Sequence, residues 1–371
     1  MKPYFIALGV GLTLTGCNSS GPSPTVASSP TGGSPIITPA STVAVVPTAP
    51  PPPVPAGFVV EDLSFAGDAA FALGHVGNTS RLAESDDAGA SWHLVADVPE
   101  PPCVNTQPCV DRVRFGSAEV GYAYGEAVLL VTHDGGHHWR QQLSGSDTGT
   151  LDLATYGSDA AVRAYGAAPC VCTLQYTSDG GQTWRDTGVS PTSRSNSSDR
   201  VLMQSNVAYA TQLGNPAGGG EGGAAVYVSA DQGRTWAARA TPCGQIPLIG
   251  DLAAAGSLVA AVLCLDRSTQ PYTITLRLSS DAARTFGAAS SPVPGAAVDG
   301  ILAVASDTVV AVGNPSGAFI STDRGAHWRR TLACGAGWLG FESATQAHAL
   351  CGNTVWRSSD AGQTWSSYSF G

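Results

Sequence analysis

From residue 58 onward the chain alternates apolar and polar positions in short runs, broken by Gly and Asp turns. The stretch around blade-sized unit 110–142 shows the pattern most clearly. It reads Val110-Asp111-Arg112-Val113-Arg114-Phe115, then Gly121-Tyr122-Ala123-Tyr124-Gly125, then Ala127-Val128-Leu129-Leu130-Val131, and last Trp139-Arg140-Gln141-Gln142. Period-two alternation and β-branched runs between turn residues predict four antiparallel strands. Between the third and fourth runs lies a motif of the form Ser/Thr-x-Asp-x-Gly-x-Thr-Trp. Seven copies begin at Ser85, Thr132, Thr177, Ser229, Ser279, Ser321 and Ser358, with spacings of 47, 45, 52, 50, 42 and 37 residues. A period of this size, with four strands per copy, predicts an all-β, seven-bladed β-propeller of four-stranded antiparallel blades.

The motif has a structural reading. Asp and Ser/Thr side chains bond to nearby backbone in tight turns, and Gly supplies positive φ. Asp87, Asp134, Asp179, Asp231, Asp281, Asp323 and Asp360 are therefore assigned to turns. The closing aromatics Trp92, Trp139, Trp184, Trp236, Phe286, Trp328 and Trp365 are expected to pack between neighbouring sheets. The fifth copy departs, with Ala283 for Gly and Phe286 for Trp, so its turn is the least regular.

On these residues the chain resembles the Asp-box (BNR-repeat), sialidase-like β-propellers. In the order of first strand, Gly-aromatic-Ala second strand and DGG-type box it is similar to the photosystem II assembly-factor-like seven-bladed group. The resemblance covers about residues 58–371, and that superfamily hosts hydrolases, receptors and scaffolds alike. It implies that the box is a folding device remote from any active site. A sialidase would bring an arginine triad, a tyrosine nucleophile with a glutamate, an aspartate acid/base and a Phe/Tyr-Arg-Ile-Pro sequence near the first blade. That sequence is absent, and seven boxes point to seven blades where sialidases have six. Xyloglucanase-type enzymes set two such propellers face to face, and here there is one.

The first 57 residues read differently. Lys2 precedes an apolar run from Tyr4 to Leu14, too short to span a bilayer. It ends in Leu14-Thr15-Gly16-Cys17, which resembles a bacterial lipobox; an ordinary signal peptide with a chance cysteine is the alternative. The expected organisation is a signal peptide over 1–16, a Pro/Ser/Thr-rich tether over 17–57 and the propeller over 58–371, with lipid on Cys17 holding the protein to a membrane surface. The localisation this implies is the bacterial cell envelope.

Net charge is −10, only 12% of residues are charged, and Lys2 is the sole lysine. Without a basic footprint, nucleic acid is not an expected partner, and the lipid anchor is the only expected membrane contact. Eight cysteines follow Cys17, an even count that in an exported chain reads as disulfides. Cys243 and Cys334 fall in loops entering blades 5 and 7, and Cys264 and Cys351 end the second strands of the same blades, so Cys243–Cys264 and Cys334–Cys351 are expected on the face opposite the boxes. Cys103–Cys109 and Cys170–Cys172 are the remaining local pairs, with cross-pairing between adjacent blades as the alternative. A metal site on these cysteines lacks an accompanying histidine, and no cofactor is implied.

Asp62, Asp111, Asp152, Asp199, Asp251 and Asp299 open six of seven first strands, and Trp338 stands near the equivalent place in the seventh. As first strands line the channel, these residues form a candidate binding site at its mouth, an acidic ring suited to a cation or a basic group. The favoured competing reading is that each aspartate caps its strand or bonds to the next blade's backbone. No pair is singled out for the two-carboxylate chemistry of a glycosidase. His133, His137 and His138 cluster in the second box, where a solvated turn outweighs a metal site. Insertions over 187–198 and 214–223 are candidate display loops. Together these readings point to a monomeric, non-catalytic surface lipoprotein that binds a protein or glycan. A secreted glycoside hydrolase using channel carboxylates is the alternative, and a photosystem-like assembly role rests on pattern resemblance alone.

Overall fold

The computed structural model describes residues 50–371 except 101–108, 126–127, 145–148, 167–172, 190–199, 213–224, 240–241, 244–247, 267, 269–271, 296–299 and 371. The signal peptide, Cys17 and most of the tether lie outside the described residues, as do Cys103, Cys170, Cys172, Asp199, Asp299 and nearly all of both insertions.

Seven antiparallel sheets follow one another along the chain, each in simple up-and-down order, and form the seven blades. Their first strands are Val59–Ala66, Arg112–Phe115, Gly149–Tyr156, Val201–Gln204, Leu248–Ala255, Ile301–Val304 and Trp338–Phe341. Six sheets have four regular strands and the fifth has three. In blade 5 the fourth segment still bonds to the third strand, through the amides of Gly287, Ser290 and Val293. The Ser290 hydroxyl accepts from Leu276 N at 2.8 Å in place of a backbone carbonyl, and Pro292 has no amide to donate. The ladder there is irregular for that reason.

Each blade is apolar on both faces, so it buries its residues against both neighbours. The buried core accordingly divides into seven clusters, one per blade–blade interface. The aromatic that closes each repeated turn packs in the interface with the preceding blade: Trp139 packs against the cluster that holds Phe71 and Leu82 of blade 1, its ring edge-to-face with Phe115 of its own blade. Within the turn, the Ser85 hydroxyl donates to Asp87 Oδ1 at 2.8 Å and accepts from Gly89 N at 2.8 Å. Asp87 also accepts from the Ser91 amide at 2.8 Å and the Ser91 hydroxyl at 2.7 Å. The fifth copy keeps the same bonds, with Ala283 N to Ser279 Oγ at 2.9 Å, and holds Ala282 and Ala283 at φ of +57°.

One register position, at the end of the second strand, meets the chain entering each blade, and different blades fill it differently. Gly74 and Gly125 let that backbone pass so close that a Cβ would lie 2.3 Å from Val59 O and 1.7 Å from Cys109 O. Asn314 donates to Pro294 O at 3.3 Å. Cys264 and Cys351 make the two disulfides predicted for them, to Cys243 and Cys334. Cys109 is also disulfide-bonded, its partner lying outside the described residues.

Ring closure joins blade 7 to blade 1 without strand exchange among the described residues. Pro53 instead bridges His93 on the outer edge of blade 1 itself. The seam is held by Asn353, whose Oδ1 accepts from Val60 N at 2.8 Å and whose Nδ2 donates to Phe58 O at 2.7 Å. Phe370 packs against Phe58 and Trp92 beside it, with ring centroids 5.4 and 5.3 Å apart.

Candidate functional site

The first strands enclose a central cavity of about 980 Å³. The four described aspartates at the start of those strands, Asp62, Asp111, Asp152 and Asp251, fall into two register classes. In blades 1, 3 and 5 the pairing of first and second strands slips by one residue just before Asp62, Asp152 and Asp251. A bulge of this kind re-aims the side chain that follows it. The re-aimed carboxylates reach the next blade: Asp62 accepts from Val113 N at 2.9 Å, Asp152 from Val201 N at 2.8 Å and Asp251 from Leu302 N at 2.8 Å. Ser64 does the same for Phe115 N at 2.7 Å. These amides belong to the inner edge strand and have no ladder partner of their own, so the aspartates satisfy donors that would otherwise be buried and unpaired. The capping reading therefore describes Asp62, Asp152 and Asp251.

Blades 2 and 4 place a different residue at that level. Matching partners on the second strands (Asp62 to Leu73, Arg112 to Tyr124, Asp152 to Ala164, Asp251 to Leu263) gives one position per blade. Arg200 takes it in blade 4 by exchanging bonds with Thr211, and Ile301 and Trp338 take it in blades 6 and 7. Around the channel the order is Asp62, Arg112, Asp152, Arg200, Asp251, Ile301, Trp338. The level is thus not the acidic ring expected from the sequence: Asp111 is one register out, and Arg200, Ile301 and Trp338 hold the position in blades 4, 6 and 7. Asp111 precedes Arg112 and is exposed on the channel wall.

The charges at this level are paired. Arg114 donates to Asp62 at 2.6 Å, Arg200 Nε lies 2.9 Å from Asp251 and Arg112 lies 3.8 Å from Asp152, which also accepts from the Tyr124 hydroxyl at 3.2 Å. The partners are unequally buried: the Asp62, Asp152 and Asp251 side chains are 8%, 4% and 4% exposed, against 42% for Arg112 and 30% for Arg200. What the channel meets here is guanidinium lying over sunken carboxylate. The Asp251 carboxylate holds Arg200 firmly in its charged form. Burial pushes the Asp251 carboxyl up, opposed by Arg200 and by the Leu302 and Leu252 amides; with both amides donating at 2.8 Å and the Arg200 guanidinium 2.9 Å away, Asp251 is read as a carboxylate. The wall across the channel, from blades 5 to 7, carries Ala253, Ile301, Trp338 and Phe341 between the polar Asp251, Glu342 and Gln346.

Sequence reasoning named Asp62, Asp111, Asp152, Asp199, Asp251, Asp299 and Trp338; Asp199 and Asp299 lie outside the described residues, and of the others all but Asp152 appear directly on the cavity wall. It missed Arg112, Arg114 and Arg200. Their signal was present, since Asp111-Arg112-Val113 and Asp199-Arg200-Val201 in blades 2 and 4 contrast with Asp62-Leu63, Asp152-Leu153 and Asp251-Leu252 in blades 1, 3 and 5. Among the described residues no group of three or more His, Cys, Asp or Glu side chains is arranged to hold a metal ion. His138 Nδ1 instead contacts its turn aspartate, Asp134, at 2.6 Å.

No protein-family model and no curated protein sequence matches the chain. Solved structures do match its fold. One described as YCF48 bound to D1 peptide superposes with a TM-score of 0.56 at 15% identity, covering 83% of this chain and 95% of that one. YCF48 from Cyanidioschyzon merolae gives 0.52 at 15% identity, over 83% and 97%. The β-propeller domain of the Trilobed protease from Pyrococcus furiosus, described as having an open velcro topology, gives 0.52 at 7% identity, over 85% and 96%. At these identities the likeness concerns the fold.

Proposed function

We propose that the chain is a lipid-anchored, non-catalytic binding module of the cell envelope whose channel receives an extended, anionic segment of a partner protein. One observation carries the reading: the channel presents the Arg112, Arg114 and Arg200 guanidiniums on one side and Trp338, Ile301 and Phe341 on the other. Guanidinium is suited to planar recognition of a carboxylate, and the facing aromatic and aliphatic wall suits an apolar side chain beside it. Asp62, Asp152 and Asp251 neutralise the arginines from beneath and fix their orientation, so the donors are positioned before a ligand arrives. The structure described as YCF48 bound to D1 peptide gives this fold a precedent for peptide binding.

Glycoside hydrolysis is the second reading, and the same observation weakens it. That chemistry needs one carboxyl able to give a proton and another free to act as base or nucleophile. Asp62, Asp152 and Asp251 are each taken up by a neighbouring amide and an arginine.

The test is titration of the purified chain with extended acidic peptides and with the same peptides after amidation of every carboxylate, Asp and Glu being replaced by Asn and Gln and the C-terminus by its amide. A charged hydrogen bond is worth about 1.5–3 kcal/mol, so amidation or Arg112→Ala is expected to weaken binding about 10- to 100-fold. Equal affinity for both peptide forms refutes the arginine role. Turnover of any member of a glycan panel that is lost on Asp111→Asn refutes the non-catalytic reading.

A further inference from the structure

The seam that closes the ring contains the most deeply buried histidine–carboxylate pair among the described residues; His75–Glu61 and His93–Glu84 of blade 1 are about a fifth to a quarter exposed, and His138–Asp134 and His327–Asp323 lie in exposed turns. Glu342 and His348 belong to blade 7, with side chains only 12% and 3% exposed. His348 Nδ1 lies 2.6 Å from Glu342 Oε2, and His348 Nε2 lies 3.0 Å from the carbonyl oxygen of Ala88, in the repeated turn of blade 1. Phe65, also of blade 1, stacks on the imidazole with centroids 4.1 Å apart and planes inclined by 22°. The same register position in blades 1 to 6 holds Phe71, Tyr122, Val162, Tyr209, Ala261 and Ala311, none of which titrates in the neutral range.

Counting protons over these two contacts gives the consequence. The Ala88 oxygen only accepts, so Nε2 must carry a hydrogen. The Nδ1–Glu342 contact then needs a second proton, shared between imidazole and carboxyl, because a bare Nδ1 would set its lone pair against a carboxylate. A neutral imidazole beside an ionised carboxylate has only one proton for the two contacts and must lose one of them. We propose that the blade 7–blade 1 seam is a pH-sensitive closure, locked by the proton shared within the Glu342–His348 pair and loosened when that proton leaves.

No other charged group is placed to substitute for this proton among the described residues. Arg357 sits opposite His348 on the adjacent strand and lines the same cleft, but its Nε donates to Ser366 Oγ at 3.3 Å. On the blade 1 side Asp87, next to Ala88, is bonded to Ser85 and Ser91. Burial also pushes the Glu342 carboxyl up, with His348 opposing, the direction expected of a carboxyl that retains a proton. The sign follows from linkage. The closed seam, with both contacts in place, holds the shared proton more tightly than an opened pair in water does. Closure therefore weakens as pH rises and that proton leaves.

Hydrogen exchange on the full chain tests this. After correction for intrinsic base catalysis, amides over 58–60, 84–90 and 342–350 are expected to lose at least about tenfold more protection between pH 6 and 9 than amides between blades 3 and 4, and a tenfold change is what 1.4 kcal/mol delivers. The paired variant His348→Phe with Glu342→Leu, which restores an aromatic like Phe71, should abolish the difference. Seam protection that does not change with pH in the unaltered chain overturns the proposal, as does the same pH response in the paired variant. Nitrogen spectra of histidine-labelled, unaltered protein give a readout independent of the variant. Both ring nitrogens of His348 should be protonated, or share a proton with Glu342, at pH 6, and a single N–H with no partner on Nδ1 refutes the lock.

Discussion

Asn353→Ala is the substitution expected to weaken ring closure most directly. Asn353 is half-buried in a turn of blade 7, and its side-chain amide makes two bonds to blade 1, to Val60 N and Phe58 O. Phe58 is 0% and Val60 6% exposed, so truncation leaves one donor and one acceptor with little access to water. An unsatisfied buried group costs about 1–3 kcal/mol, and water reaching the half-buried turn holds the total near about 2–4 kcal/mol. At roughly 2 °C per kcal/mol for a large domain, the midpoint should fall by about 4–8 °C. Urea unfolding checks this through a lower midpoint at unchanged slope. Asn206→Ala is the control: its amide donates to Ala230 O at 3.3 Å in an exposed turn, and the loss should stay below about 0.5 kcal/mol. Asn353→Asp keeps the acceptor for Val60 N but turns an oxygen toward Phe58 O, so it should not rescue. A loss for Asn353→Ala as small as that of Asn206→Ala would refute the claim that these two bonds hold the seam.

Two further outcomes follow from the blades themselves. Gly125→Ala places a Cβ 1.7 Å from the Cys109 carbonyl oxygen, so backbone must shift and stability should fall by about 3 kcal/mol, whereas Gly188→Ala, with open space around it, pays only for its positive φ, about 1–2 kcal/mol; similar losses for the two in denaturant melts would refute the close approach. The turn aspartates Asp179, Asp281 and Asp360 are drawn down to about 2, in each case first by the hydroxyl of the threonine four residues on. A depressed carboxyl contributes stability that is present above its unfolded value and lost as pH falls through its folded one. Melting temperature should therefore drop between about pH 4 and pH 2, and Thr364→Val should narrow that window at Asp360; an unchanged acid profile in Thr364→Val refutes the assignment.

The seven turns were legible because each is a local object. Its Ser/Thr, Asp and Gly lie within five residues and bond to one another whatever surrounds them, so spacing alone yielded the blade count and the orientation of every strand. The Cys243–Cys264 and Cys334–Cys351 pairs were legible for the same reason, since blade order places both partners at one end of one sheet. Asp62 and Asp111 looked alike because both stand at the start of a first strand; the residues after them, Leu63 and Arg112, differ, but only the pairing of first and second strands shows the one-residue slip at Val60/Asp62 that aims the first of them at blade 2. Whether a carboxylate faces the channel or a neighbouring amide depends on that slip and on the blade beside it. His348 likewise became a seam residue only when the ring closed and brought Ala88, 260 positions away in the chain, to its Nε2. Local repetition determined the architecture from sequence, while the charge of the channel and the chemistry of closure were decided between blades, where contacts join residues that no local pattern relates.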